Sequence, residues 1–293
     1  MPEGHVTHRM AAVYRREFGG RVTRSSSPQG RFETEAELID GRVLTGAESY
    51  GKHLFITFEG EVGEKIVHVH LGMAGKSRLH HGGESDRPVT GAVRWRLEHE
   101  EAWLDLRGPA VCELLDADGQ ARVLARLGPD PLRADADPER AWTRIARSSL
   151  PIAALLMDQQ TFAGVGNIFR AEALFRAGLD PMLPGVALQR REFEALWDDL
   201  CELMAYAVET GRIDTVREND DPAVAGRAPR KDRHGGEVYV YRRADQPCHV
   251  CGTTVRTTVL ATRNLFWCPK CQPLSRRAVA VAARRVARER TRT

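Results

Sequence analysis

Long apolar runs and a strong charge bias are both missing from this chain of 293 residues. No segment approaches the roughly 20 consecutive apolar residues that a membrane-spanning helix needs, and the first residues lack the apolar stretch of a signal peptide. The net charge is only +3, so composition alone does not indicate a nucleic-acid partner. Internal repeats and low-complexity tracts are also absent. These absences predict a cytoplasmic globular protein that does not enter a membrane.

Positive charge is nevertheless concentrated in two places. Residues 275–292 contain seven arginines and one acidic residue. The second cluster consists of Arg227, Arg230, Lys231 and Arg233. Each cluster fits a phosphate-binding surface, and each equally fits a solvated helix or loop. The sequence therefore assigns a role to neither.

Cysteine is scarce, but four of the six cysteines are spaced as metal ligands. Two CxxC pairs, Cys248 with Cys251 and Cys268 with Cys271, are separated by sixteen residues. In a chain without a secretion signal, this spacing predicts a tetrahedral zinc site rather than two disulfides. Because four thiolates leave no open position for water, we expect one zinc ion with a structural role.

The first half of the chain is predicted to form a helix followed by a β-rich domain. Apolar residues at helical spacing predict a helix over residues 1–18, ended by two glycines. Between residues 21 and 116, short β-rich segments alternate with turns: HLFITF, KIVHVHL, AVRWRLEH, AWLDLR and VCELLD. Five or more strands favour a sandwich or a barrel. The N-terminal domain is therefore placed at 1–126, followed by a Pro- and Asp-rich linker at 127–137.

The second half is predicted to be mainly helical. Helical periodicity is found in four segments, at residues 138–147, 151–160, 167–177 and 189–210. The polar residues 214–236 form a predicted long loop, which completes a domain spanning 138–236. The zinc segment follows at 237–272, where EVYVYRR, TVRTTVLA and NLFWC suit short strands around a metal. The basic tail occupies 273–293.

The opening residues MPEG allow two interpretations. Pro2 is typical of the first turn of a helix, where its missing N–H would be unpaired in any case, and Glu3 suits the positive end of the helix dipole. On these residues alone, a helix start is the simpler interpretation. The alternative is a reactive terminal amine, which becomes relevant only if the rest of the chain requires one.

A glycine turn between two predicted helices is the second unusual feature. In the segment MDQQTFAGVGNIFR, Gly164 and Gly166 permit a close backbone approach, and Asn167 is expected to be the N-cap of the next helix. Free N–H groups at a helix start form a phosphate site. Taken alone, the pattern is more common as a helical hairpin with a glycine turn.

Four motifs occur in a fixed order along the chain: MPEG at the terminus, GKHLF at 51–55, QTFAGVGNIFRAEALFRAGLDP, and RNLFWCPKCQ. In this order the chain resembles the Fpg/Nei family of formamidopyrimidine-DNA glycosylase and endonuclease VIII, up to about Gln272. The resemblance implies an α+β fold of two domains. The N-terminal domain would be a β-sandwich with flanking helices, and the C-terminal one a helix–two-turns–helix domain with a β-hairpin zinc finger.

The resemblance also implies four catalytic residues. Removal of Met1 would free Pro2 as a secondary amine with a pKa well below that of a lysine, able to attack C1′ of a damaged nucleotide and form a Schiff base. Glu3 would be the general acid that protonates the deoxyribose ring oxygen. Lys52 would contact phosphate and aid elimination, and Arg263 would grip phosphate through two parallel hydrogen bonds.

DNA contacts are implied at four further positions. Asn167 and Gly166 would bind backbone phosphate at the helical turn, and Arg126, just before LGPDP, would be another backbone contact. Because the damaged base must leave the duplex, Met73 at a glycine-flanked strand end is assigned as the wedge that fills the gap. A buried core methionine is the alternative.

Two histidines on one face of the same strand deserve a separate interpretation. His68 and His70 alternate with apolar residues in the segment KIVHVHL, so both side chains point to the same side. No third ligand is evident in the sequence, so hydrogen-bonded structural histidines are favoured over a second metal site.

One difference from the purine-oxidation branch of the family indicates which lesions the protein would act on. The purine-oxidation branch carries an arginine–phenylalanine pair in a later turn, whereas DLRGPAVCELL offers Arg107 but no phenylalanine at 108–110. This favours an endonuclease VIII-like enzyme for oxidised pyrimidines, and PEGH, SSPQGRF, GKHLF and DLRGP are most like its actinobacterial members. Gly72 falls where some endonuclease VIII proteins have a polar wedge, and the tail after Gln272 lies beyond the family's usual end.

The resemblance therefore predicts a bifunctional DNA glycosylase and abasic-site lyase of base excision repair, cleaving the strand by β/δ-elimination. Its expected partner is double-stranded DNA with oxidised bases or abasic sites, and we expect a monomer in the bacterial nucleoid without membrane contact. One alternative is an oxidised-purine (formamidopyrimidine or 8-oxoguanine) glycosylase. Another is a non-catalytic zinc-finger protein that binds damaged DNA, which Pro2, Glu3 and Lys52 disfavour.

Overall fold

The protein is described by a computed structural model that covers residues 2–82, 88–231 and 236–281. It divides into two compact units, Met1–Leu127 and Gly128–Thr293. Arg233 and most of the arginine-rich tail lie outside the described residues, so the interpretations given to them stay predictions.

The first helix begins later than the sequence suggested. Helix α1 spans Gly4–Phe18, and Glu3 is its N-cap residue with an extended backbone (φ −113°, ψ 175°). The prediction of a helix from residue 1, with Pro2 in its first turn, is therefore wrong. Helix α1 ends at Gly19, where a Cβ would lie 2.4 Å from the carbonyl oxygen of Arg15.

Eight strands build the sheet of the first unit. They are β1 Val22–Ser26, β2 Arg42–Tyr50, β3 His53–Phe58, β4 Lys65–His70, β5 Lys76–His81, β6 Val93–Glu98, β7 Ala102–Arg107 and β8 Val111–Leu115. Their order is β5-β7-β6-β1-β2-β3-β4-β8, and every neighbouring pair is antiparallel. Two short helices accompany them, α2 Glu33–Ile39 and α3 Ala117–Leu124.

The two halves of this sheet enclose one apolar core. Side chains from β3 and β4 and side chains from β6 and β7 belong to the same buried cluster, and the rings of Phe58 and Trp95 lie 6.2 Å apart across it. Helix α1 closes the core with Tyr14, which stacks on Trp95 at 5.9 Å. Because alternate residues of each strand face this core, the predicted sandwich with flanking helices is confirmed.

The second unit begins with helices, one of them shorter than predicted. They are α4 Pro138–Ile145, α5 Ile152–Leu155, α6 Asn167–Arg176 and α7 Arg190–Thr210, with single 3₁₀ turns at Gly185–Ala187 and Glu218–Asp220. The prediction of a helix over 151–160 is wrong beyond residue 155. The Asp158 side chain accepts hydrogen bonds from the Gln160 N–H and the Thr161 hydroxyl, and such local bonds compete with a helical ladder.

The zinc segment forms a single hairpin of two strands, β9 Arg256–Leu260 and β10 Arg263–Trp267. The prediction of a further strand at EVYVYRR is wrong. The N–H groups of Tyr239, Val240 and Tyr241 donate to the buried carboxylate of Glu172 on α6, at 2.7 to 2.9 Å. One side chain therefore satisfies the backbone donors that a neighbouring strand would otherwise take.

Apolar residues from α4 to α7 and from the hairpin share one buried cluster, which forms the core of the second unit. Within the ranges that the structure describes, no helix has the length and apolar character required to cross a bilayer.

Candidate active site and metal centre

The N-terminal segment is tied to the Lys52 turn by one hydroxyl group. Thr7 Oγ1 lies 2.8 Å from the carbonyl oxygen of Gly4 and 2.7 Å from that of Gly51, and it is almost fully buried. A single hydroxyl proton serves either acceptor. The start of helix α1 and the turn before β3 are thus held at hydrogen-bond distance of one side chain.

Pro2 and Glu3 precede this helix in extended backbone. Pro2 is half-buried, whereas Glu3 is only 1% exposed and its carboxylate does not cap α1. A buried carboxylate that does not cap the helix differs from an exposed acid at a helix N-terminus. The structure thus removes the interpretation of Glu3 as a surface acid matched to the helix dipole, while its catalytic role stays a prediction.

Lys52 lies in a two-residue hairpin turn between β2 and β3. Tyr50 pairs with His53 across the turn, and Gly51 takes a φ of +59°, which tight hairpins require and which glycine adopts without strain. The turn fixes the backbone of Lys52 at the end of the sheet and leaves the residue half-buried.

The strand histidines are hydrogen-bonded within the protein, as predicted. His68 is 3% exposed; its Nδ1 lies 2.8 Å from Oε1 of Glu113, and its Nε2 lies 2.8 Å from Nδ1 of His53. His70 Nδ1 accepts from the Gly72 N–H at 3.2 Å. Sequence alone could not find His53 and Glu113 as partners, because they come from two other strands.

Met73 occupies the apex of an exposed turn after β4. Its side chain is 67% exposed, which excludes the alternative of a core methionine and leaves the wedge role as a prediction. Gly72 takes a φ of +64°, and a Cβ there would lie 2.7 Å from Cβ of Ala110. Backbone conformation and this close approach both require glycine, so a polar wedge at position 72 cannot be accommodated.

Arg107, which the sequence matched to a wedge arginine, lies at the end of β7. Its Nη2 donates to Asp105 at 3.1 Å, and Asp105 is also held by Arg96 at 2.7 Å. The side chain of Arg107 is about one quarter exposed, at 26%. Its guanidinium is therefore committed to a buried carboxylate rather than extended from the surface.

The side chains at the glycine turn before α6 make contacts within the protein. Gly166, not Asn167, is the N-cap of α6, so the N-cap prediction for Asn167 is wrong. Asn167 is 6% exposed, and its Nδ2 donates to the carbonyl oxygen of Asn264 on β10 at 3.0 Å. The buried Arg170 contacts Asn167 Oδ1 and donates to the same carbonyl. Asn167 therefore joins helix α6 to the zinc hairpin.

Arg263 is the first residue of β10 and lies at the tip of the zinc hairpin. It pairs with Leu260 across a two-residue turn, in which Ala261 and Thr262 have φ values of +51° and +62°. Positive φ at both positions is the tight hairpin geometry that usually takes Asn or Gly, so this turn holds strained backbone.

Arg126, a further predicted contact to the DNA backbone, is exposed after α3.

Two arginines of the basic cluster in the long loop bind other groups of the protein. Arg227 pairs with Glu237 at 2.7 Å, and Arg230 donates to the carbonyl oxygen of Tyr241. With Lys231, Arg242 and other polar residues they line a cavity of about 410 Å³. The two arginines therefore stabilise the loop against the chain that follows it, which the sequence did not predict.

The metal centre is assembled from the four predicted cysteines. Their sulfur atoms all lie within 4.8 Å of one another, with Sγ–Sγ distances of 3.9 Å for Cys248–Cys271 and 3.5 Å for Cys251–Cys268. Sulfurs bonded to one zinc ion at about 2.3 Å are about 3.8 Å apart, whereas a disulfide needs about 2.05 Å. This is the set of donors for one structural zinc.

The electrostatics of this site also fit a dication. Burial and, secondarily, the neighbouring thiols raise the pKa of Cys248 and Cys271, so a positive ion is needed to favour the thiolate form of these two ligands. Gln272 then fixes the site to the helical part of the unit, because its side chain accepts from the Cys268 N–H and donates to the Leu179 carbonyl. Sequence reasoning missed Gln272 and Glu172, whose spacing carries no signal.

Comparison with known families follows the division seen in the structure. The formamidopyrimidine-DNA glycosylase N-terminal domain matches residues 1–112, and the H2TH domain of the same glycosylase matches residues 127–218. A zinc finger found in FPG and IleRS matches residues 245–274. The fold and the four-cysteine site thus define a DNA glycosylase with a zinc-binding hairpin.

Curated relatives cover almost the whole chain. Endonuclease 8 1 of Mycobacterium tuberculosis is 48% identical over 279 residues, or 93% of this chain and all of that protein. Formamidopyrimidine-DNA glycosylase of Pseudomonas syringae is 31% identical over 93% of this chain and 98% of that protein. Lactococcus lactis Fpg bound to DNA with an abasic site shares the fold at a TM-score of 0.75 and 21% identity, over 93% of this chain and all of that one. The chain belongs to the Fpg/Nei family of DNA glycosylases with lyase activity.

Within this family it is an endonuclease VIII-like, bifunctional DNA glycosylase of base excision repair. The alternative of a non-catalytic zinc-finger binding protein is thereby set aside.

Proposed function

We propose that this enzyme removes oxidised pyrimidines from double-stranded DNA through a Schiff base on Pro2, and then cleaves the strand by β/δ-elimination. The observation that carries the proposal is the Thr7 hydroxyl, which lies at hydrogen-bond distance of both the start of helix α1 and the Lys52 turn. The segment with the amine and the carboxylate and the segment with the lysine are thereby held side by side in one unit.

Each residue then has a step that suits its chemistry. With Met1 removed, the secondary amine of Pro2 attacks C1′, the damaged base leaves, and an iminium remains. Glu3, buried and not used as a helix cap, protonates the ring oxygen as the sugar opens. The iminium makes the C2′ proton acidic, so the 3′ phosphate leaves, with Lys52 contacting phosphate; a second elimination removes the 5′ phosphate.

DNA is held by Arg263, Asn167 and Gly166 of the second unit and by Arg126 near the end of the first. Arg263 at the hairpin tip offers a guanidinium for a backbone phosphate. The strained turn before it fixes the backbone position from which the Arg263 side chain extends. Asn167 and Gly166 act at the start of α6, where backbone N–H groups face a phosphate and where Asn167 ties the helix to β10. Zinc holds the hairpin in shape, and Arg126 adds an exposed backbone contact.

We infer the preference for pyrimidines from the two turns whose side chains would fill the gap left by the flipped base. Met73 projects from its turn, whereas residues 108–110 provide no aromatic wedge and Arg107 is held by Asp105. The relative at 48% identity carries the name endonuclease 8 1. We therefore assign this chain to lesions such as thymine glycol, acting as a monomer on duplex DNA.

The test is borohydride trapping on duplexes that carry thymine glycol, 8-oxoguanine or an abasic site. We expect a covalent adduct with thymine glycol and abasic DNA, much less with 8-oxoguanine, and none with Pro2→Gly. A matched control is Pro28→Gly in an exposed turn, which should trap like the parent. Trapping of thymine glycol DNA by Pro2→Gly at the parental rate would contradict the proline mechanism, and a preference for 8-oxoguanine would support the oxidised-purine alternative.

A further inference from the structure

Three side chains on the outer face of the first unit's sheet form a continuous hydrogen-bonded row. His53 on β3, His68 on β4 and Glu113 on β8 lie on the face opposite the apolar core, since the intervening residues Leu54 and Val67 point into that core. Two contacts of 2.8 Å link them: Glu113 Oε1 to His68 Nδ1, and His68 Nε2 to His53 Nδ1. The sequence of groups is carboxylate, imidazole, imidazole.

The carboxylate determines which nitrogen carries each proton. Glu113 accepts, so Nδ1 of His68 carries a proton and donates to it, and Nε2 of a neutral His68 then has only a lone pair. That lone pair requires a donor, which is the Nδ1–H of His53. By the same reasoning, Nε2 of His53 carries a lone pair and no proton.

The open end of the row lies next to Lys52. Among the described residues, the His53 side chain makes its hydrogen bond through Nδ1. The His53 ring also contacts the rings of His68 and His70, with centroids about 5 Å apart. His53 directly follows Lys52, and the preceding Gly51 carbonyl is the one that Thr7 contacts. The residue that carries the unprotonated Nε2 therefore directly follows the turn that the proposed chemistry uses.

We propose that Glu113, His68 and His53 form a proton relay that accepts the C2′ proton during β-elimination. The proposal deepens the proposed function and rests on it, because the acidic C2′ proton exists only once the iminium has formed. His53 is the catalytic residue of the relay, and His68 and Glu113 are positioning residues that act through it.

The step balances without an external reagent. The C2′–H bond breaks and an N–H bond forms at Nε2 of His53, while the C2′–H electron pair becomes a carbon–carbon double bond and the iminium becomes an enamine. In the same step, the Nδ1 proton of His53 moves to Nε2 of His68, so His53 stays neutral. The proton is then stored as an imidazolium beside the Glu113 carboxylate, and the enamine electrons return as the 3′ phosphate leaves.

The environment of His53 favours passing the proton onward. Burial, followed by the neighbouring His68, His70 and Lys52, lowers the pKa of His53 to about 3, so His53 does not retain a proton itself. His68 has the carboxylate partner that His53 lacks, at 2.8 Å. Two imidazoles in series therefore move positive charge away from Lys52 and towards Glu113.

A first measurement tests the row without any DNA. Long-range ¹H–¹⁵N spectra of the zinc-loaded full chain should show His53 and His68 as neutral Nδ1–H tautomers near pH 7.5. In Glu113→Gln, His68 should lose this fixed tautomer, whereas Glu61→Gln, an exposed carboxylate paired with Arg42, should leave both histidines unchanged. The Nε2–H tautomer for His53 in the parent protein would overturn the proposal.

A second measurement separates the relay from Schiff-base formation. On abasic duplex DNA, His53→Phe, which keeps a ring against His68, should form the borohydride-trapped adduct at the parental rate but cleave the strand about 100-fold more slowly. Glu113→Gln should slow cleavage about tenfold, and Glu61→Gln should not change it. Unchanged cleavage in His53→Phe, or an equal loss of trapping and cleavage, would overturn the relay. Absence of an adduct with the parent enzyme would instead overturn the proposed function, and the relay with it.

Discussion

The two units of this protein reach a stable structure in different ways. The first has a core of alternating apolar residues between two halves of one antiparallel sheet, closed by Tyr14 and Phe18 of α1. The second packs four helices, and its residues 237–272 add polar groups to the shared apolar cluster: a buried glutamate, a buried arginine and four cysteines. A unit built on periodic burial tolerates loss of a polar contact, whereas one built on specific polar contacts does not.

The largest difference between the units is expected from loss of the metal. Cys268→Ser should lose the single zinc ion seen by native mass spectrometry, and DNA binding should weaken more than about tenfold, because structural zinc supplies folding free energy to its domain. Cys201→Ser, on α7 and outside the metal cluster, is the control and should retain zinc. Retention of tight binding without zinc would refute the assigned role of the hairpin.

Removal of the Glu172 carboxylate should be the next largest effect. Glu172→Ala leaves three backbone donors and the Thr215 hydroxyl without their acceptor in a buried place, so we expect the free energy of unfolding to fall by about 4 kcal/mol. Glu194→Ala breaks an exposed pair with Arg190 and should cost about 0.5 kcal/mol. Urea unfolding measures both, and equal small losses would contradict the account.

Acid should destabilise the first unit through His53. Its pKa is lowered to about 3 in the folded protein, whereas the unfolded chain takes up the proton near the ordinary value, so stability is lost as pH falls below about 6.5. Between pH 8 and pH 5 the free energy of unfolding falls, and His53→Phe should reduce this fall by about 1 kcal/mol after allowance for partial solvent contact. His8→Phe on α1 is the control, and an identical pH slope in His53→Phe would contradict the shift.

The smallest expected effects concern left-handed backbone in the zinc segment. Thr262→Gly should relieve strain at a φ of +62° in the hairpin turn and stabilise the segment by about 0.5 kcal/mol. Gly252→Ala, before the hairpin, introduces a side chain at a φ of +73° in open space and should destabilise the segment by about 1 kcal/mol. Hydrogen exchange of the β9 and β10 amides measures both, and shifts of the same sign would contradict the strain argument.

Five of the eight strands of the first unit could be predicted from sequence, because their segments are short, rich in β-branched and aromatic residues and bounded by turns. The segment HLFITF, for example, became β3. The start of α1 could not be predicted, since the extended backbone of Glu3 is set by tertiary surroundings rather than by helix propensity. The row from His53 to Glu113 depends on strand register, which a single sequence does not specify.

In the second unit, the metal ligands could be predicted and their surroundings could not. CxxC spacing identifies zinc ligands from chemistry alone, whereas EVYVYRR has the composition of a strand and is not one. Glu172 lies about seventy residues earlier and takes the N–H groups that would form a ladder. Asn167 likewise opens its helix as predicted, but Gly166 caps it, and the amide of Asn167 reaches β10 instead.

The most direct test of the central claim is the position of the covalent link. After borohydride reduction on abasic DNA, the protein is digested and the cross-linked peptide is sequenced by mass spectrometry. We expect a peptide that begins at Pro2, without Met1, and carries the sugar on the proline nitrogen. A link at Lys52, or on a chain that retains Met1, would contradict it.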